Sequence, residues 1–304
     1  MIDVVIVGAG PAGLSAALLL GRCRRRVLVC DRGTPRNAAS HALHGYLTRD
    51  GVSPRELRRI GRDELKPYGI EVRDAEVQDV QGTIEAFEVT LDTGDRLAAR
   101  MVLLATGVLD RLPDIAGLRE CFGISAFHCP YCDGWEVRDR VIAVLGGGVS
   151  GAGLALALKT WSERVILCSS GGRRVSRVHR AQLEAHGIAV HDAPIRSIEH
   201  EGGHVRRLVP RRGAPLDCDA IFIAAGQAPQ SNIPVRLGCQ VTRKGAIRTD
   251  RFGQTCVPGI YVVGDASRDV QFAIVAAAEG AKAAVAINAA LQKYEGQAAA
   301  LGTP

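Results

Sequence analysis

Aromatic side chains are scarce in this chain, at 4% of 304 residues, although 47% are hydrophobic. A core of the size that this length permits must be filled by Ala, Val, Leu and Ile. The interleaving of aromatic and basic residues that nucleic-acid surfaces use is missing. The net charge of +6 therefore reads as an Arg-rich solvated face, and nucleic acid is not an expected partner. Long uninterrupted apolar runs are lacking as well. The most apolar late stretch, 272–291, contains Glu279, Lys282 and Asn288, which points to a buried helix and not to a membrane span. No basic-then-apolar leader precedes the first strand, so neither a signal nor a transit peptide is expected, and the expected location is cytoplasmic. The nine cysteines are odd in number and mostly scattered, which excludes a secreted disulfide framework. Cys23, Cys30, Cys121, Cys168, Cys218, Cys239 and Cys256 are expected to be small buried hydrophobes.

Glycine, by contrast, is plentiful at 35 residues, as befits backbone that approaches phosphates closely. Val4-Val5-Ile6-Val7 runs into Gly8-Ala9-Gly10-Pro11-Ala12-Gly13. An apolar helix is predicted over 14–20, and a second strand over 26–30 delivers Asp31. Strand, glycine turn, helix, strand and an acid about 20 residues past the glycines form a dinucleotide-binding fingerprint. The helix N-terminus faces a pyrophosphate with its partial positive charge, and Asp31 is placed to accept hydrogen bonds from an adenosine ribose. The pattern returns about 140 residues later, as a domain-scale duplication. A strand over 141–145 runs into Gly146-Gly147-Gly148-Val149-Ser150-Gly151, with a helix predicted over 154–161 and a strand over 164–167. Between the two loops stands Cys129-Pro130-Tyr131-Cys132-Asp133-Gly134. A dithiol pair between two dinucleotide fingerprints reads as an electron path between a flavin and a disulfide. The other reading of CxxC is half a zinc site. No second CxxC or paired-His motif completes the ligand set, although His128 is adjacent, so no metal is expected.

Further elements are predicted as follows. A charged amphipathic helix covers 55–68. Residues 70–100 turn like a small β insertion with its hairpin tip at 92–95. A buried strand over 100–105 ends in Thr106-Gly107, and a strand over 219–225 echoes it. Pro113 and Gly117 mark a crossover to a second domain, and the chain returns around 242–246. Gly259 to Asp265 is a strand delivering an aspartate, followed by a long helix over 270–291 and a tail, 296–304, expected to be mobile.

The N-terminal glycine loop, CxxC-Asp-Gly, the second glycine loop and Gly264-Asp265, in that order, resemble the low-molecular-weight thioredoxin reductase family of flavoproteins, from Gly8 to about Leu291. The resemblance implies an α/β fold of two Rossmann-like domains, the second inserted in the first. FAD would occupy 1–113 with 244–304; a pyridine nucleotide, NADPH, and the CxxC would occupy 114–243. It also implies a homodimer and an inserted domain that swivels to present either dithiol or nicotinamide to the flavin. Within that family, His128-Cys129-Pro130-Tyr131-Cys132 with Gly134-Trp135-Glu136 is similar to the gliotoxin/holomycin-type enzymes acting on small dithiols, several of which close a disulfide with FAD and oxygen. Those usually carry His after the second cysteine; this chain carries Asp133, as thioredoxin reductases do.

By the resemblance, Cys132 contacts the flavin and Cys129 attacks the external sulfur, whether of a thioredoxin-like protein or of a small dithiol or disulfide. Asp133 moves the proton, which near neutrality needs a raised pKa. His128 is a second candidate, or else points to solvent. Asp265, after Gly264, is expected on the ribityl chain. Arg36 and Asn37 are expected along the FAD channel, with Thr106 and Gly107 also at the cofactor. Where the family has Tyr-Arg-Gln, this chain reads Val270-Gln271-Phe272. At the second loop Gly146, Gly148, Ser150 and Gly151 would hold the nucleotide. The family's His-Arg-Arg for the 2′-phosphate is replaced by Cys168-Ser169-Ser170. Arg173, Arg174 and Arg177 follow, either rescuing phosphate binding or lying as surface arginines. The implied activity is an FAD-dependent thiol–disulfide oxidoreductase with NADPH as donor. The alternatives are an oxygen-dependent dithiol oxidase and a flavin redox partner or sensor.

Overall fold

Val4 to Val7 are buried on both faces, as a central strand covered on each side requires. They belong to β1 (Ile2–Val7) of a computed structural model that describes residues 1–169, 174–224, 226–267 and 270–300. The chain divides into two units, Met1–Ala38 with Gly45–Leu109 and Ala228–Pro304, and Ala39–His44 with Asp110–Gln227. The crossings thus fall at 110 and 228, ahead of the expected 114 and 244, and a short piece, Ala39–His44, counts with the second unit.

In the first unit, α1 (Pro11–Arg22) starts with Pro at its first turn and leads to β2 (Val27–Cys30), parallel to β1. α2 (Pro54–Leu65) is capped by Ser53, whose Oγ accepts from the Glu56 N–H at 3.1 Å. β3 (Glu71–Arg73) extends the sheet in parallel. β4 (Val77–Thr83), β5 (Ala86–Leu91) and β6 (Arg96–Leu104) then run antiparallel. The expected β insertion and the buried strand over 100–105 are continuous. The start of β6 pairs with β5 and its end with β1, so the sheet runs β3-β2-β1-β6-β5-β4. β7 (Val108–Arg111) leads out.

The second unit holds α3 (Leu118–Cys121), β8 (Ala126–Phe127), α4 (Pro130–Asp133), β9 (Ile142–Leu145), α5 (Gly148–Leu158), β10 (Val165–Cys168), α6 (Arg177–Ala185) and β11 (Ala189–His191). After these come β12 (Ile195–Glu201), β13 (His204–Pro210), β14 (Leu216–Asp217) and β15 (Ala220–Ile223). Its parallel sheet has the order β11-β10-β9-β15-β8, and β12 to β14 form an antiparallel sheet. That meander escapes sequence reading because charged residues interrupt its alternation. α5 begins at Gly148, six residues before the expected start, because the glycine loop itself winds into the first turn.

β16 (Gly226–Pro229) and α7 (Ile233–Arg236) precede β17 (Ile260–Val262), which pairs with the end of β6. α8 (Ala273–Ala300) closes the chain. Its span Ala273–Gln297 is long and apolar enough to cross a membrane by length and composition, but three of its polar residues, Glu279, Asn288 and Glu295, have partners in the first unit. Glu279 accepts from the Gly264 N–H at 2.8 Å, and the Asn288 Oδ1 accepts from Arg25 at 2.8 Å. A Cβ at Gly280 would stand 2.0 Å from the Ala12 carbonyl oxygen, so α8 crosses α1 backbone to backbone. The helix outlasts the expected end at 291. Glu295 takes Arg25 at 2.6 Å and Arg100 at 2.8 Å, tying the last turns to β6. The final residues of the tail expected to be mobile, 301–304, lie outside the described residues.

Candidate active site

α4 is a single turn, and its short reach is what brings two cysteines together. Cys132 and Asp133 N–H groups donate to the Cys129 carbonyl at 3.2 Å, and Gly134 N–H donates to the Pro130 carbonyl at 2.7 Å. Pro130 sits at the first helical position, where its missing N–H would be unsatisfied anyway. Cys129 and Cys132 are joined as a disulfide with their Cα atoms 5.3 Å apart. A Cβ at Gly134 would meet the Pro130 carbonyl at 2.5 Å and the Trp161 ring at 2.7 Å, so glycine lets the turn rest on Trp161. Tyr131 meets the same ring edge-on, at 5.4 Å between centroids. The outer faces of Tyr131 and Trp135 are exposed beside the disulfide.

Asp133 is half-buried. Burial pushes its carboxyl up to about 7, Glu136 adds to the rise, and His44 opposes it. His128 does not simply face solvent: its Nδ1 lies 3.9 Å from the buried Asp110 carboxylate, and its ring stacks on Phe122 at 6.3 Å. Among the described residues no cluster of three or more His, Cys, Asp or Glu side chains is placed to hold a metal. Cys30, Cys121, Cys168, Cys218 and Cys239 are buried as expected, and burial pushes the Cys168 and Cys218 thiols up to about 12. Cys23 and Cys256 are exposed, against expectation. Cys23 falls at the C-cap of α1 and Cys256 in a loop.

The first glycine loop has the shape that its sequence implies. Cβ atoms at Gly8 and Gly13 would stand 2.5 Å from the Ala105 carbonyl and 1.9 Å from the Gly8 carbonyl, whereas Gly10 opens on space with nothing within 4 Å. Pro11 and Ala12 begin α1 just behind that opening. Such a cradle at a helix N-terminus fits a dinucleotide pyrophosphate. Asp31 holds the loop: its Oδ1 accepts from the Ala9 N–H at 3.1 Å, and its Oδ2 pairs with Arg58 and, at 2.9 Å, with Arg62. Three residues expected at the cofactor meet, since Arg36 donates to Asp265 at 2.9 Å and to Gln271 at 2.7 Å. Asn37 is half-buried next to Arg36. Phe272 lends its carbonyl to the Ala276 N–H at the start of α8. Thr106 and Gly107 follow β6, and the Gly107 carbonyl accepts from the Gln230 N–H at 3.2 Å.

The second loop repeats the backbone of the first. Gly8 N–H donates to the Cys30 carbonyl at 2.7 Å, and Gly146 N–H donates to the Cys168 carbonyl at 3.0 Å. Asp31 N–H and Ser169 N–H each bond the end of the next parallel strand at 2.9 Å. A Cβ at Gly151 would lie 2.6 Å from the Gly146 carbonyl, and Gly148 takes φ +61°, while Ser150 is exposed on the first turn of α5. Ser169 thus occupies the position of Asp31. Its hydroxyl donates to Asp192 at 2.5 Å, and Arg180 clasps the same carboxylate at 2.6 and 2.7 Å. Ser169, Arg180 and, at longer range, Arg174 hold the Asp192 carboxyl below its usual range. Arg174 is exposed, and Arg177 opens α6, exposed as well; Arg173 lies outside the described residues. The loop fits a pyrophosphate, and the Asp192 carboxylate stands next to Ser169, the counterpart of Asp31.

Sequence reading missed Arg58, Arg62, Glu279, Arg180, Asp192, Asp110 and His44. Arg58 and Arg62 alone left a signal, two arginines four residues apart on one face of a predicted helix.

The pyridine nucleotide-disulphide oxidoreductase family model matches residues 2–280. The chain is 31% identical to a protein of Arthroderma benhamiae named "Probable thioredoxin reductase", covering 98% of this chain and 82% of that one. It is 28% identical to thioredoxin reductase sirT of Leptosphaeria maculans, over 94% and 93% of the two chains. Among solved structures, that of HlmI superposes with a TM-score of 0.95 at 37% identity, covering 99% of this chain and 96% of that one. An oxidoreductase from Agrobacterium tumefaciens gives 0.89 at 34%, covering 96% and 98%. This chain therefore belongs to the pyridine nucleotide-disulphide oxidoreductase family.

Proposed function

We propose that this protein is an FAD-dependent thiol–disulfide oxidoreductase in which Cys129 and Cys132 exchange with an external sulfur pair. The observation that carries the reading is the closed Cys129–Cys132 pair on the same turn as Asp133, a carboxyl pushed up to about 7. FAD, when bound in the first unit, supplies the two-electron redox couple. Gly8, Gly10 and Gly13 admit its pyrophosphate, Asp31 its adenosine ribose, and Arg36 with Asp265 the chain beyond.

In the reducing direction Cys129 ionises by giving its proton to Asp133, its thiolate attacks one sulfur of the external disulfide, and the departing thiolate takes that proton from Asp133. Cys132 then ionises by giving its own proton to Asp133, and its thiolate attacks Cys129 Sγ, closes the ring and releases the second thiolate, which takes the proton in turn. Two electrons and two protons thus pass from the protein dithiol to the product thiols. In the oxidising direction Asp133 accepts the protons. A group titrating near neutrality serves both directions.

The donor in the reducing reading is NADPH. A second reading, a dithiol oxidase acting on a small molecule with oxygen as acceptor, is favoured by Asp192, whose carboxylate opposes a 2′-phosphate beside Ser169. Anaerobic titration of the purified protein's visible spectrum tests both readings. Bleaching by NADPH supports the first, bleaching by a small dithiol alone supports the second, and a protein that binds no FAD defeats them together. Cys129→Ser is expected to abolish turnover of external thiols with flavin still bound; full activity in that variant would refute the exchange mechanism.

A further inference from the structure

Ala39–His44 is remote from the dithiol in sequence but packs in the same unit. The approach is close: a Cβ at Gly123 would stand 2.3 Å from the Ala39 carbonyl oxygen, so glycine at φ +83° admits the segment. Leu43 is buried, and the segment ends in His44, whose Nε2 lies 3.4 Å from Glu136 Oε1 with the imidazole 25% exposed. Glu136 is three residues past Asp133. We infer that His44 and Glu136, in contact with each other, form a positioning pair that sets the protonation of Asp133. The inference rests on the reading of Asp133 as proton carrier.

The charges around Asp133 are few. Glu136 comes from its own stretch of chain and His44 from the 39–44 segment. α5, which packs on α4, contributes no titratable side chain, and Lys159 at its end is taken by Glu163. His128 and Asp110 face each other ahead of the turn. Glu136 and His44 act on Asp133 in opposite senses, the glutamate favouring its protonated form and the histidine its ionised form.

The test uses the full-length FAD-loaded protein with dithiothreitol as the dithiol. Flavin bleaching is followed over a pH series, and Asp carboxyl 13C signals are titrated in parallel, with the Asp133 signal assigned by its loss in Asp133→Asn. In His44→Gln the Asp133 inflection is expected to move to higher pH, in Glu136→Gln to lower pH, and in the double variant back toward the wild type. A role in packing alone gives no such opposed pair. Inflections that stay in place, or move in the same direction in both single variants, overturn the inference. If Asp133→Asn leaves the rate profile unchanged, the reading of Asp133 as proton carrier fails, while the 13C titration still decides whether the pair controls it.

Discussion

In the proposed exchange Asp133 bears on both rate and stability. Its carboxyl is pushed up to about 7 in the folded chain, first by burial and then by Glu136, whereas in the unfolded chain it titrates as an ordinary carboxyl near pH ~4. Between those two values the folded state binds more protons, so this group's contribution to stability falls as pH rises through that window. Asp133→Asn removes the dependence. The variant should gain stability over the wild type as the pH is raised from about 4 to about 8, read as urea midpoints along the series. A constant difference would mean that Asp133 ionises freely in the native state. The same substitution should lower thiol–disulfide turnover by about 10-fold or more, since a positioned acid–base group contributes roughly 10²–10⁴-fold. The choice of Asp at this position was legible from the sequence. Its raised pKa was foreseen only as a requirement, because the charges that tune it come from His44 and from the fold around the turn.

At the scale of elements, the contact between α1 and α8 decides whether the first glycine loop keeps its shape. Gly280 rests on the Ala12 carbonyl, where a methyl group would find 2.0 Å. Gly280→Ala should therefore destabilise the protein by about 1–3 kcal/mol through forced displacement of α8 and should weaken flavin retention, because Ala12 lies in the first turn of the loop's own helix. Thermal melts with and without added FAD check this, and a neutral result would show that the two helices part without cost. The ends of β10 and β11 carry a second prediction. Asp192→Asn removes a carboxylate that binds Ser169 and occupies Arg180. NADPH binding should strengthen relative to NADH, measured by calorimetry on the FAD-loaded protein; an unchanged ratio would place the 2′-phosphate elsewhere. The helices and parallel strands were largely readable from hydrophobic period and glycine placement. The β12–β14 meander and the last turns of α8 were not, because the first depends on a partner strand and the second on Arg25 and Arg100 reaching Glu295.

Across the whole molecule one plan is used twice. Each unit has a parallel sheet, a glycine loop closed by a bond from its first N–H to the second strand, and an arginine from the following helix on a carboxylate after the third strand. In the first unit that pair is Arg62 with Asp74 at 2.9 Å, and in the second it is Arg180 with Asp192. At the end of the second strand the units differ, Asp31 standing in the first where Ser169 stands in the second; in the proposed reading that difference separates the ribose site of FAD from a site that resists a 2′-phosphate. By itself the sequence determined the α/β class, both glycine loops, the CxxC pair and the acid at Asp31. Each of these is written within a few tens of residues, where backbone period and turn chemistry act locally. Only the tertiary structure decided what stands opposite them: Arg58 and Arg62 on Asp31, Arg36 on Asp265 and Gln271, Asp192 on Ser169, and His44 on Glu136. Those partners are brought together by sheet order and by close backbone crossings at Gly123 and Gly280, and such meetings between distant parts of the chain leave no periodic trace in the sequence.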